Sequence, residues 1–198
     1  MKNNKNKMLQ FIRSQRGVIT TSSFINAGFH NIYLKELEAD GIIIKIKQGL
    51  YMLPEYESNS GFFEAQKVIT DSVICLGSAL SFYELSSYEP PFIWLAIRRG
   101  VKVVLPEFPP IKLFRFSKVQ FETGVVEAHY EGNKIRIYDK EKTICDVIRY
   151  RNKIGLDIAN EVVKNYINLK DKNIQKIVDY AKILRLTIPV SNYFKVLL

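Results

Sequence analysis

From residue 5 to residue 15, KNKMLQFIRSQ, the apolar side chains Met8, Leu9, Phe11 and Ile12 recur at the spacing of one helical stripe, with Lys and Arg on the other faces. Gly17 ends this helix. TTSSFINAG then predicts about two helical turns, opened by a Thr20 or Thr21 cap and closed by Gly28. A third helix is expected from His30 to about Asp40. At 100° per residue His30, Leu34, Leu37 and Gly41 share one side, which directs Leu34 and Leu37 to a core and assigns His30 a structural place beside them. After Gly41 the run IIIKIK alternates, predicting a strand with Ile44 and Ile46 on one face and Lys45 and Lys47 on the other; QGLYML returns as its partner. Helix, short helix, tight turn, helix and hairpin is the order of a winged helix-turn-helix. Pro54 and the polar run EYESNSG mark a linker at about 54–61, dividing the chain into a first domain over 1–56 and a second over 62–198.

The second domain reads as mixed α/β, so the fold class of the whole is α/β (α+β). Helices are expected over 61–70 and 78–86 and strands over 73–76, 92–97, 102–105, 111–116, 124–130 and 134–138, with EGN at 131–133 turning the last pair. From Asp139 onward DKEKTICDVIRYR, LDIANEVVKNYI and NIQKIVDYAKILR carry apolar residues at three- and four-residue spacing and predict helices. There is no internal repeat and no low-complexity tract.

Charge narrows the choice of partner. Twenty-nine Lys and Arg against 20 Asp and Glu give +9, and a pI near 9.4 favours an anionic partner, nucleic acid or a membrane surface. No apolar run approaches the roughly 20 residues that span a bilayer, and MKNNKNKMLQF lacks the apolar core of a signal peptide. The expectation is a cytoplasmic protein. Its two cysteines, Cys75 and Cys145, lie in apolar segments and read as buried free thiols of a reducing compartment.

In a winged helix-turn-helix the third helix enters the major groove, so the side opposite Leu34 and Leu37 meets the bases. That side offers Asn31, Ile32, Lys35 and Glu36, with Tyr33 at its edge. Asn31 suits adenine, Lys35 guanine or phosphate, and Tyr33 a phosphate or sugar. The hairpin tip, Lys45, Lys47 and Gln48, is placed to follow the DNA backbone as the wing, and Thr20 with its neighbours Thr21 and Ser22 to donate to a phosphate. The bland alternative is a protein-interaction module with a solvated charged face, since Glu36, Glu38 and Asp40 lie on the same helix. Residues 1–55 hold eight basic and four acidic side chains, leaving +5 for the remainder. Basic clusters there are Arg98, Arg99 and Lys102; Lys112, Arg115 and Lys118; and Arg149, Arg151 and Lys153, each equally read as ordinary surface.

Catalytic chemistry finds little footing, and the chain is expected not to be an enzyme. His30 and His129 fall in different domains without a nucleophile set nearby. Gly77-Ser78 opens like a nucleotidyltransferase signature, but no Asp-x-Asp carboxylate pair follows to hold metal, and Ser78 is expected to cap a helix instead. Asp139, Glu141 and Asp146, with Lys140 and Lys142, gather at a helix start, where carboxylates are favoured without any catalytic role. No phosphate-cradling loop, dinucleotide fingerprint or four-ligand zinc set is present, so no cofactor or metal is expected.

Two stretches carry a resemblance to a known family. GVITTSSFINAGFHNIYLKELEADGIIIKIKQGLYML resembles the winged helix of the AbiEi antitoxins, the regulator halves of type IV toxin-antitoxin systems in bacterial phage-defence (abortive infection) operons. YDKEKTICDVIRYRNKIGLDIANEVVKNYI resembles the C-terminal pattern of that family: an acidic turn, Lys/Arg-Thr, a small apolar pair, Asp, then Arg-Tyr-Arg. The resemblance runs nearly the whole chain in order. It implies a repressor that binds inverted repeats of double-stranded DNA in its own promoter through the N-terminal domain, and a C-terminal domain that counteracts a nucleotidyltransferase-like toxin, with no stable complex required and no membrane partner. Thr20, Asn31, Tyr33, Lys35, Lys45 and Lys47 are carried over as DNA-facing positions, and Arg149 and Arg151 as accessory ones. This recognition helix departs from the family in being acidic after Lys35. Two other readings stay open: a general regulator whose second domain senses a ligand or protein, and a nucleic-acid-modifying enzyme that docks through its winged helix.

Overall fold

The computed structural model describes residues 2–15, 17–56, 61–106 and 109–197. The chain divides into two compact units, Met1–Thr70 with Val104–Pro110, and Asp71–Val103 with Ile111–Leu198.

The first unit runs α1 (Lys2–Ser14), β1 (Val18–Thr20), α2 (Thr21–Asn26), α3 (Ile32–Ala39), β2 (Ile44–Lys47) and β3 (Leu50–Met52), followed by a 3-10 turn at Pro54–Tyr56 and α4 (Phe62–Val68). Helix α1 buries Met8 and Ile12, one turn apart, against Phe24 of α2 and Leu34 and Leu37 of α3. Phe29 closes the α2–α3 turn, its ring 4.9 Å from that of Phe24 and 5.7 Å from that of Phe11. Gly17, at φ 73°, donates its N–H back to Ile12 O at 2.9 Å, the glycine-ended closure expected after α1.

The structure alters the sequence reading at three places here. Val18–Thr20 forms a strand, β1, because β3 lies beside it: the antiparallel sheet has the order β1-β3-β2, with Val18 opposite Met52 and Thr20 opposite Leu50. The expected alternation in IIIKIK fails. A bulge between Lys45 and Lys47 shifts the register against β3, so Ile43 and Ile46 are buried while Ile44 is 39% exposed. His30 is exposed and not a core residue; it precedes α3, where its Nδ1 accepts the N–H of Ile32 at 3.2 Å.

The second unit contains β4 (Val73–Ile74), α5 (Leu76–Phe82), β5 (Ile93–Arg98), β6 (Ile111–Phe116), α6 (Lys118–Glu122), β7 (Val125–Tyr130), β8 (Asn133–Tyr138), α7 (Lys140–Ile154), α8 (Leu156–Ile167), α9 (Ile174–Ile183) and α10 (Thr187–Leu197). Its sheet is mixed, in the order β6-β5-β4-β8-β7, with β5 parallel to β6, β4 parallel to β8, and antiparallel pairs β4–β5 and β7–β8. Glu131 and Gly132, at φ 47° and 74°, form the two-residue turn that closes β7–β8. The strand expected over 102–105 is absent: residues 101–106 are irregular, and Val104 is 87% exposed. An apolar run without a pairing partner does not make a strand.

One side of the core is built on α7, whose Ile144, Cys145, Val147 and Ile148 are buried with Val162, Val163 and Tyr166 of α8, Ile177 and Ala181 of α9, and Val190 and Phe194 of α10. Cys75 and Cys145 are both buried free thiols, as the apolar context of each predicts. The Gly77-Ser78 pair serves packing. A side chain at Gly77 would stand 3.3 Å from the rings of Trp94 and Tyr88. Ser78 does not cap α5 but lies inside it, buried, with its Oγ accepting the Trp94 N–H at 2.8 Å.

Candidate nucleic-acid interface

The shortness of the turns sets the geometry of the first unit. Thr20 is the last residue of β1 and the N-cap of α2: its Oγ1 accepts the Ser23 N–H at 3.0 Å, and Ser23 Oγ accepts the Thr20 N–H at 3.1 Å, a reciprocal capping box. Thr20 Oγ1 also lies 2.9 Å from Ser22 Oγ. The Thr21 N–H donates to Gly49 O at 2.9 Å, tying the start of α2 to the hairpin tip. The hydroxyls of Thr20, Thr21 and Ser22 and the Gln48–Gly49 turn are therefore brought together at one end of the unit.

Helix α3 presents two contrasting sides. Leu34 and Leu37 are fully buried, whereas Asn31, Ile32, Lys35 and Glu36 are exposed. Asn31 stands at the N-cap position, exposed, and its side chain makes no capping hydrogen bond. Tyr33 is half-buried and packs against the unit's core. Of the three acids on α3 and its cap, Asp40 is engaged by Lys5 of α1 at 2.9 Å. Lys45 and Gln48 of the hairpin are exposed. The Lys47 backbone pairs with Leu50 at the end of β2, while its side chain lies outside the described residues.

The accessory arginines belong to a different setting. Arg149 and Arg151 are half-buried on α7: Arg149 Nη2 donates to Leu184 O, closing the end of α9, and Arg151 Nη1 donates to Ile148 O at 2.8 Å. Two further basic side chains of the second unit also have partners. Arg98 pairs with Glu122 at 3.3 Å and lies over the Phe121 ring, and Lys112 lies 4.5 Å from the Trp94 ring centre.

The motif YDKEKTICD has a structural explanation that sequence reading missed. Asp139 caps α7, with Oδ1 accepting the Lys142 N–H at 2.8 Å, as carboxylates at a helix start should. Its Oδ2 accepts from Tyr180 Oη at 2.8 Å and Lys176 Nζ at 3.0 Å, and Glu141 accepts from Tyr166 Oη at 2.8 Å, which fastens α8 and α9 to α7. Lys142 and Asp146, one turn apart, form an ion pair with no exposed surface, the ammonium 4.1 Å from the Tyr138 ring centre. Burial pushes the Asp146 carboxyl above its usual range while Lys142 pulls it back. The available signal was the i,i+4 spacing of opposite charges inside an otherwise apolar run. Among the described residues no group of three His, Cys, Asp or Glu is placed to hold a metal ion.

A three-helix unit with a short helix-turn-helix step and a following hairpin has the order of a helix-turn-helix domain. Residues 6–54, which run from α1 to the end of the hairpin, match the family model described as "Transcriptional regulator, AbiEi antitoxin". No curated protein matches the chain. Among the described residues no helix is long and apolar enough to cross a membrane.

Proposed function

We propose that the chain is a type IV antitoxin and autorepressor: its first unit binds inverted repeats in its own promoter as a winged helix, and its second unit counteracts a nucleotidyltransferase-like toxin in an abortive-infection operon. The observation that carries this reading is the coincidence of the family match with the unit that exposes Asn31 and Lys35 on α3 and Lys45 on the hairpin. In this reading Asn31 and Lys35 meet base edges, Tyr33 a sugar or phosphate, and Thr20, Lys45, Lys47 and Gln48 the backbone. The protein works in the cytoplasm by binding and not by catalysis. Ser78, Asp139 and Glu141, the residues nearest to a catalytic set, are spent on internal bonds.

The test is binding of the full chain to the DNA upstream of its gene and to a scrambled control across a range of salt, together with co-expression beside the neighbouring toxin gene. Preference for the upstream fragment and rescue from toxicity are expected. Equal binding to both fragments would remove the repressor half of the reading, and unrelieved toxicity the antitoxin half.

One observation favours a second reading, a regulator whose C-terminal unit senses an anion. A recess of about 380 Å³ is lined by Ser117, Gln120, Arg149 and Arg185 with no acidic side chain. The buried Arg149 Nε there has no hydrogen-bond partner among the described residues. Phosphate at millimolar concentration that changes DNA affinity would move the weight to this reading.

A further inference from the structure

We propose that Ile32 reads thymine, its side chain seated against the 5-methyl group of a thymine in the major groove, so that Asn31 and Ile32 together select A·T pairs. The inference rests on the DNA-binding reading of the first unit. Ile32 occupies the first helical position of α3 and is 47% exposed; the helix buries Leu34 and Leu37 and does not need Ile32 for its core. A β-branched side chain is a poorer helix former than the Glu, Lys or Ala that otherwise suit an exposed position. A single exposed isoleucine is ordinary on a protein surface. This one stands among Asn31, Lys35 and Glu36, at the N-terminal end of the helix that a helix-turn-helix directs toward base edges.

In that groove the thymine methyl is the apolar feature an aliphatic side chain can cover, while adenine N6 and N7 suit a side-chain amide. Asn31, which makes no capping bond, supplies that amide one residue away. Adjacent amide and aliphatic side chains thus match the two partners of an A·T pair, or of neighbouring pairs.

The test uses the full chain and the fragment upstream of its gene, synthesised with thymine or with uracil, which differs by the methyl alone. Uracil is expected to weaken the wild type by about fourfold for each methyl covered. Ile32→Ala is expected to lose a similar factor on the thymine fragment and to bind both fragments alike. Ile25→Ala, which truncates an equally exposed isoleucine on α2 (48%), is expected to keep the wild-type response. Equal wild-type affinity for both fragments overturns the inference, as does full methyl sensitivity in Ile32→Ala or its loss in Ile25→Ala, and in these cases preference over scrambled DNA would leave the DNA-binding reading standing. Absence of that preference overturns the DNA-binding reading and this inference with it.

Discussion

The two units treat charge in opposite ways. In the first, Lys35 and Lys45 stand exposed, and the ion pairs Lys5–Asp40 and Arg13–Glu55 lie at the surface, where such pairs contribute little to stability. In the second, Lys142 and Asp146 have no exposed surface, Asp139 and Glu141 are nearly buried under Lys176, Tyr166 and Tyr180, and Arg149 and Arg151 donate to backbone carbonyls. An excess of basic residues therefore means different things along one chain. Cations such as Lys35 and Lys45 face outward in the first unit, whereas Lys142, Arg149 and Arg151 serve internal fastening in the second.

That contrast is most strongly tested at the thiols. Burial pushes Cys75 up and Cys145 up to about 12, so at pH 8 both are protonated and the nucleophilic thiolate is missing. Because a raised thiol pKa leaves less thiolate at any given pH, labelling of the native protein is expected to stay blocked at pH 8 and to follow opening of the second unit. Rapid labelling without denaturant would break the picture of a closed core.

Next in size is Asp146→Ala, which leaves the Lys142 ammonium buried without its partner and is expected to cost about 3–5 kcal/mol. Trp94, the single tryptophan, lies in the same core and reports the loss in a urea titration. A cost below about 1 kcal/mol would show that the pair does not hold the unit together. Thr20→Ala removes the surface cap of α2 and is expected to cost about 1 kcal/mol, read as faster hydrogen exchange at the Ser23 amide, with the Trp94 transition unmoved. Lys45→Ala should alter stability by less than about 0.5 kcal/mol. Its effect is expected in the salt dependence of DNA binding, whose slope falls by about one unit. An unchanged slope would take Lys45 out of the interface.

Local periodicity made much of the candidate site legible. The three-residue step from Leu34 to Leu37 fixes which side of α3 is buried, and hence that Ile32, Lys35 and Glu36 face outward; Asn31, which precedes the helix, is exposed as well. Thr20 was legible as a cap because a β-region residue with a side-chain oxygen suits that place. Tyr33 was only half legible, since its ring lies where core and surface meet. Arg149 was read as surface, and nothing near it in sequence announces that Leu184 O lies within reach of its guanidinium. The antitoxin and regulator reading also had its support in short range: the family match covers the first unit, where order and spacing carry the pattern.

By itself the sequence determined α1 to α3, α7 to α9, the hairpin, the mixed α/β character of the second half and the buried state of both cysteines, because these follow from spacing within a few residues, while α6 and α10 went unread. Only the tertiary structure decided the pairing of β1 with β3, the bulge that buries Ile46 and exposes Ile44, the irregular course of 101–106, the strand order β6-β5-β4-β8-β7 and the burial of Lys142 against Asp146. Strand partners and buried charges depend on groups distant along the chain. Their free energy is gained only when those groups meet, so no local window contains it.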